Sequence, residues 1–368
     1  MESRLKILAE IAYVCLKSGR FSFHKVEIHK LYATIQKRQK NSECSINSSL
    51  QREEYLADFV VYVDKNLCQF DNLLLQKLLV AHHLMGNFKA LDESIYQFLD
   101  TPAWNDVFIF LSGMQRADYL ISLLQNSILT KIKSPHLTQF LSWIAHVSEQ
   151  VSISTNETAN RCHVTFMIFE IMMLFGDRSP DRTIISNILQ QIKQIFSLLD
   201  PECSFSGVRK LNPKIGYQSR ISHFIDPKIM RGLSIEGLLD LANILAQRAS
   251  SYSLISLDNV NRLSAIIQHL RQQLDGKTMS IYHRKVCEKN LYRLWIKSLG
   301  ITEKDLEFTT RDLQSFYLYC RGIHLIIQCL DEAFYVSGHL QKEVIQTFFK
   351  PVAQVDHLIT VPPLSTTL

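Results

Sequence analysis

The sequence predicts an all-α protein that carries one small β-hairpin near its N-terminus. Three observations support this. Only 12 glycines and 9 prolines interrupt 368 residues. Apolar residues recur at helical spacing along most of the chain. A single β-branched and aromatic run, FVVYV at 59–63, breaks that pattern. Apolar residues make up 46% of the chain and charged residues 20%, which is typical of a globular protein with a sizeable core.

The first 71 residues predict three helices and the hairpin. The first helix ends at Gly19, a short extended stretch at Phe21 leads to a second helix over 23–39, and a third covers 50–60. In the hairpin, FVVYV returns through the turn residues DKN to LCQF at 67–70. Three helices followed by a terminal hairpin form the anatomy of a winged-helix domain. The apolar face of the first helix consists of Leu5, Leu8, Ile11, Ala12, Cys15 and Leu16.

Helix follows helix after the hairpin, without a strict sequence period, which favours an irregular α-solenoid or helical bundle. Helical patterns cover 72–100, 103–113, 116–131, 136–150, 157–176, 181–199, 234–249, 258–274, 278–298, 303–308, 311–336 and 339–349. The predicted domains are a winged-helix-like domain at 1–71, a helical domain at 72–200, a basic irregular loop or linker at 201–232, a C-terminal helical domain at 233–350 and a flexible tail at 351–368.

The composition argues for a cytoplasmic protein. No apolar run reaches the roughly 20 residues of a membrane span; the nearest, at 166–175, is broken by Glu170. The N-terminus lacks the features of a signal peptide. The eight cysteines form no CxxC pair and mostly lie in apolar helical patterns, so we expect small buried hydrophobes in a reducing compartment. The same expectation of core packing applies to aromatic residues at helical spacing, namely Phe166, Phe169, Phe175, Phe316, Tyr317, Phe334, Phe348 and Phe349.

The string FDNLLLQKLLVAHHL, residues 70–84, resembles the end of the winged-helix region in NACHT-type STAND ATPases. The usual pattern there is Phe-x-His-x-Ser/Thr-Phe-Gln-Glu-Tyr-Leu-Ala-Ala, and Phe70, Gln76, Leu79 and Ala81 keep it. The segment PAWNDVFIFLSGM that follows resembles the family's next helix, with Trp104 as its tryptophan. The helix at Leu8–Tyr13 also fits, and 312–352 resembles a C-terminal helical module of some bacterial NACHT proteins.

The departures from the family pattern define what the resemblance implies. The family's nucleotide-sensing His is Asn72 here, its Glu is Lys77, and no G-x-x-x-x-G-K-[ST] phosphate-binding loop occurs. The chain thus resembles the regulatory and sensor half of a STAND protein without the ATPase core. The resemblance implies a non-enzymatic module, without a cofactor, in bacterial antiviral defence or signalling. Its partner would be a separate ATPase subunit or a trigger protein, such as a phage component. Without the core, part of the Leu5–Leu16 helix or the Lys77 region is expected to be an exposed interface.

An alternative function is a nucleic-acid-binding helical scaffold. Lysine and arginine recur every four residues on the 278–298 helix, opposite Leu291, Leu294 and Trp295, while Tyr282 and Tyr292 lie nearer the boundary, where they could stack on bases. Residues 201–232 hold most of the chain's net charge of +5. A solvated outer face of a solenoid helix explains the stripe equally. The candidate contact residues are Arg209, Lys210, Lys214, Arg220, Lys285, Lys289, Arg293 and Lys297. A second basic helix, at 23–39, could read DNA through Lys25, Lys30, Lys37 and Arg38.

Catalytic patterns are weak. His82 and His83 have only Asp92 and Glu93 as nearby metal-ligand candidates, so we interpret them as a pair at a helix C-terminus, favoured by the helix dipole. Cys203 has His223 downstream, but nothing in the sequence fixes their geometry for nucleophilic catalysis. The oligomeric state is left open.

Overall fold

The computed structural model describes residues 2–24, 26, 30, 60–62, 67–151, 154–175, 181–201, 235–251, 253–274 and 281–351. Within them the protein has thirteen α-helices and three short strands, so the all-α prediction is confirmed. The helices are α1 Glu2–Lys17, α2 Leu73–Leu84, α3 Phe88–Phe98, α4 Asn105–Met114, α5 Asp118–Leu129, α6 Pro135–Ser148, α7 Glu157–Phe175, α8 Arg182–Leu199, α9 Ile235–Ser251, α10 Leu257–Leu274, α11 Ile281–Ser298, α12 Thr310–Asp331 and α13 Gly338–Thr347. Short 3-10 helices lie at Pro102–Trp104, Thr130–Ile132 and Glu303–Leu306.

The strands form one antiparallel sheet. β1 (Ser22–His24) and β2 (Val60–Tyr62) flank the central β3 (Leu67–Phe70), with Phe23 opposite Cys68 and Val61 opposite Gln69. The extended stretch predicted after Gly19 and the two arms of the predicted hairpin are therefore present. The DKN turn and the predicted helices over 23–39 and 50–60 fall almost wholly outside the described residues, so the winged helix stays a prediction.

The helix boundaries correct the sequence reading at two places. The segment 72–100 is not one helix, because Gly86 takes a φ of +75° and Asn87 caps a new helix by accepting a hydrogen bond from the Ala90 N–H at 3.2 Å. The predicted helix over 311–336 ends at Asp331. Beyond it, Tyr335 forms a parallel bridge with Arg116, and its carbonyl accepts from the Ala117 N–H at 2.9 Å.

The chain divides into two compact units. Unit 1 comprises residues 1–127 and 328–341, and unit 2 comprises residues 128–327 and 342–368. The domain boundaries predicted from the sequence, at 71, 200, 232 and 350, differ from this division and remain predictions.

The core of unit 1 is built on α1, α2 and α4. The apolar face of α1 packs on α2, and α2 packs on α4. Gly19 ends α1 in the left-handed region at φ +66°, as its position predicts. The last segment of unit 1, residues 328–341, contains the connector Glu332–Ser337, whose Phe334 N–H donates to the Ser112 carbonyl at 3.0 Å.

The core of unit 2 surrounds α7, whose residues from Thr158 to Phe175 are all buried. The helix packs against α6, α8 and α11, and its apolar residues cover every side, as a fully enclosed helix requires. Two of its residues are charged and buried. Arg161 donates to the Phe348 carbonyl at 2.9 Å and the Gln346 carbonyl at 2.9 Å, holding the end of α13, while Glu170 pairs with Arg248 at 3.2 Å.

No helix in the described ranges combines the length and apolar character that a membrane span needs.

Candidate functional site

The motif residues of the resemblance occupy structural positions. Phe70 ends β3, opposite Val60, with a buried side chain. Asn72 is exposed and caps α2, its Oδ1 accepting from the Leu74 N–H at 2.8 Å. The residue at the family's nucleotide-sensing position is therefore the N-cap of its own helix, where it accepts a hydrogen bond from one of the otherwise unbonded N–H groups of the first turn. Asparagine is among the preferred residues for this position.

Gln76, Lys77 and Ala81 are buried on the inner side of α2. The Lys77 Nζ lies 2.5 Å from Oδ2 of Asp106, in the first turn of α4, so this ion pair ties the two helices together. The expectation that the apolar residues of α1 form an exposed interface is wrong, and the Lys77 side chain is itself buried. Lys77 is paired inside unit 1, and Leu8, Ile11, Ala12, Cys15 and Leu16 are buried.

Gln76 is fully buried, and among the described residues neither its Oε1 nor its Nε2 has a hydrogen-bond partner. A buried amide without partners is destabilising, because its hydration is lost without replacement. We expect Gln76→Met, which keeps the shape, to raise the free energy of unfolding by about 1 kcal/mol in urea titrations. The matched variant Lys77→Met breaks the Asp106 ion pair and should lower it. A loss of stability in Gln76→Met would show that the amide has a bound partner.

An aromatic cluster joins α1, α2, α3 and Trp104. The Tyr13 ring stacks on His83 at 4.6 Å and meets Trp104 edge-on at 6.1 Å, and its hydroxyl lies 3.3 Å from that of Ser94. Burial lowers the pKa of His83, and the neighbouring His82 adds to this effect. The predicted position of the pair is confirmed, because His82 and His83 lie in the last turn of α2. The burial of His83 disfavours its charged form, so its ring contributes packing against Tyr13 more than charge at the helix end.

The exposed apolar surface is concentrated in unit 1. Of the 13 large hydrophobic side chains exposed in the described part of the chain, 10 belong to this unit. They are Phe21, Val26, Leu73, Leu74, Leu78, Met85, Phe88, Tyr96, Phe334 and Tyr335. Contiguous apolar surface on a folded unit usually marks an interaction site.

Three of these residues form one stripe on the outer side of α2, which we name the α2 face: Leu74, Leu78 and Met85. Their exposures are 52%, 38% and 40%. The exposure of Leu74 and Leu78 agrees with the expectation of an exposed interface in the Lys77 region, although the sequence reasoning did not identify the stripe itself. The available signal was that LLLQKLLVAHHL is apolar on nearly every side, while a helix at the surface of a small unit has one polar side.

Phe334 was predicted in the core, and that prediction is wrong, because its side chain is 79% exposed. It lies on the connector Glu332–Ser337, where Ser337 N–H donates to Asp118 Oδ1 at 3.0 Å and the guanidinium of Arg116 lies over the Tyr335 ring at 4.9 Å. The other aromatic residues of that prediction are buried, except Tyr317, which is half-buried.

In unit 2, the predicted basic stripe lies on the solvent side of α11. Lys285, Lys289, Arg293 and Lys297 are all exposed, while Trp295 and Leu291 are buried and Leu294 is half-buried. The Arg293 Nε pairs with Glu303 at 2.6 Å, which neutralises one of the four charges. Tyr292 is half-buried beside Glu303 and Glu307, and burial followed by these charges raises its pKa to about 12. Little of the Tyr292 ring is therefore open for base stacking.

The cysteines and the other candidate residues from the sequence provide no further site within the described residues. Five cysteines are buried free thiols, as predicted: Cys15, Cys162, Cys287, Cys320 and Cys329. Burial raises the pKa of Cys329 to about 12. Several candidates lie outside what the structure describes: Arg209, Lys210, Lys214, Arg220, Cys203, His223 and the side chain of Tyr282. Across the described ranges, no three His, Cys, Asp or Glu side chains gather in a metal-binding group.

Comparisons of the chain with protein-family models, with curated proteins and with solved structures each give no significant match.

Proposed function

We propose that this chain is a non-catalytic helical module that regulates or senses through protein–protein contacts, in a NACHT-type STAND defence or signalling system. The observation that carries the proposal is the concentration of exposed apolar side chains in unit 1. Three charged side chains of the described interior take part in ion pairs between helices. Lys77 pairs with Asp106, and Glu170 pairs with Arg248. Each of these charges has an ionic partner within the fold, which accounts for its burial without a catalytic role.

The proposal extends to an N-terminal winged helix and an α-solenoid. The antiparallel sheet of β1, β2 and β3, with α1 and α2 beside it in the chain, supports the first. The succession of helices α6 to α12 supports the second. The STAND link rests on the motif string, in which Phe70, Gln76 and Ala81 keep the family residues and are buried. The partner would be a P-loop ATPase supplied by another polypeptide, or the trigger protein, in the cytoplasm of a bacterium.

ATP turnover tests this proposal. The proposal predicts a P-loop ATPase encoded upstream of Met1, in frame or in an adjacent gene, and that ATPase is the probe, purified and assayed with and without equimolar full chain. We expect the chain alone to hydrolyse no ATP and to change the ATPase rate several-fold when added. Three outcomes would contradict the STAND assignment: ATP hydrolysis by the purified chain alone, an ATPase rate that does not change when the chain is added, or the lack of any such gene.

A nucleic-acid-binding scaffold is the second candidate, favoured by the exposure of all four stripe residues on α11. If the stripe tracks phosphates, affinity for a 20-nucleotide single-stranded RNA should fall with salt, with a log–log slope of about −2 to −3 from four charges, one of them paired. Fluorescence anisotropy at several salt concentrations measures this slope.

Charge reversal locates the RNA contact. Reversal of Lys285, Lys289, Arg293 and Lys297 to Glu should abolish the slope. An equal reversal of other exposed lysines is the matched control and should leave it largely in place: Lys6, Lys17, Lys133 and Lys342. No binding at low salt would remove this candidate.

A further inference from the structure

The α2 face is an apolar surface without a partner in the described structure. The polar residues of α2 are Gln76, Lys77, His82 and His83, and the first two point inward. On the outer side, Leu74, Leu78 and Met85 share the stripe with half-buried His82. We propose that the α2 face is the contact surface between two copies of this chain, which pack α2 against α2 antiparallel about a two-fold axis.

The spacing along α2 makes the face self-complementary. Leu74, Leu78, His82 and Met85 follow one another at steps of four, four and three residues, which keeps them on one side of a helix. An antiparallel pair centred at residue 80 places Leu78 opposite His82 of the second copy and Leu74 within one residue of its Met85. Each contact then occurs twice, as a two-fold interface requires.

The charged residues at the two ends of α2 favour a second copy in the antiparallel orientation. Asp71 lies exposed before the N-terminus of α2, and Lys89 lies exposed just after its C-terminus. Antiparallel pairing brings Asp71 of each copy towards Lys89 of the other, whereas parallel pairing would set Asp71 against Asp71. The one lysine within α2, Lys77, is buried against Asp106, so no charge interrupts the apolar stripe. Antiparallel helices also align their dipoles favourably.

The inference goes beyond the proposed regulation, since self-association needs no ATPase and is measured without one. Sedimentation velocity of the full chain from about 1 to about 200 µM should show a concentration-dependent dimer, the range in which a modest interface is populated. Leu78→Glu and Leu78→Lys should each weaken dimerisation at least ten-fold, because the two-fold axis brings like charges together. An equimolar mixture of the two variants should restore the dimer, because the charges are then opposite.

Further variants test whether the dimer forms through the α2 face. Tyr96→Glu places the same charge on an 88% exposed side chain of unit 1 outside the α2 face and should leave the dimer unchanged. If the Leu78 variants fail to fold, Asp71→Lys and Lys89→Asp should each weaken the dimer several-fold, and the double variant should recover it. A wild-type monomer at every concentration would overturn the proposal. So would a dimer insensitive to these changes, or folded Leu78 variants that do not recombine.

Discussion

Glu170→Ala is expected to lower the free energy of unfolding by about 4 kcal/mol, because it leaves the guanidinium of Arg248 buried without its carboxylate. Both side chains of the pair are about nine-tenths buried, so water cannot replace the lost partner. Urea unfolding monitored by circular dichroism gives the difference.

A paired replacement separates the loss of attraction from the cost of burying charge. Glu170→Met together with Arg248→Met removes both charges and keeps apolar volume, so its stability should lie close to that of the wild type. A double variant as unstable as Glu170→Ala would contradict this account and show that the pair is net stabilising.

The same carboxyl predicts a pH dependence. Burial raises the pKa of Glu170 above its ordinary value, although Arg248 acts in the opposite direction. At pH values between about 4.5 and the raised pKa, the folded protein therefore holds a proton that the unfolded chain has released, and above that range Glu170 is the ionised partner of Arg248. The stabilisation from this proton is complete below the unfolded pKa of about 4.5 and is lost as the pH rises through the folded pKa. Wild type should gain stability relative to Glu170→Gln as the pH falls from 8 to 4.5; a constant difference would contradict the burial effect.

Gly322→Ala is the second large prediction, with a loss of about 2 kcal/mol. A Cβ at Gly322 would clash with Cγ2 of Ile128, a β-branched side chain that cannot simply turn away, so α12 could not keep its approach to Ile128. Alanine is favoured over glycine in a helix by about 1 kcal/mol, and the clash outweighs that gain. Thermal and urea unfolding measure the sum.

Two variants check the cause of this loss. Gly338→Ala adds the same methyl group where no atom lies within 4 Å, so its stability should stay within about 0.5 kcal/mol of wild type. Combined with Ile128→Ala, which removes the clashing methyl group, Gly322→Ala should cost less than the two single losses add up to. Strict additivity would exclude the steric cause.

The sequence predicted most helices and the strand pairing because both follow from local periodicity and turn chemistry. The helical period of 3.6 residues located α7 over 157–176 within one residue, and Val60–Tyr62 of the predicted first arm pair with β3 as expected. It failed at Gly86 and after Asp331. In the second case a distant segment at 115–117 offers the backbone a partner that no local window contains.

The surface was harder to predict than the core. Leu78 and Phe334 fit a core pattern as well as Leu79 and Phe316 do, and their exposure depends on which neighbours pack beside them. Lys77 showed the opposite error, since its charge suggested solvent while Asp106, 29 positions along the chain, gave it a buried partner. The charge spacing of α11 could be predicted from the sequence because its four stripe residues are exposed, as the charge of each side chain favours.

The connector Glu332–Ser337 has a consequence for how the polypeptide folds during synthesis. Unit 1 takes its last residues from 328–341, so about 200 residues must leave the ribosome between Ser127 and the segment that completes it. Until Tyr335 emerges, the N–H of Ala117 and the carbonyl of Ser112 lack these partners. A nascent or prematurely terminated chain would thus present an unfinished first unit to chaperones and proteases, even when every residue up to Ser127 is in place.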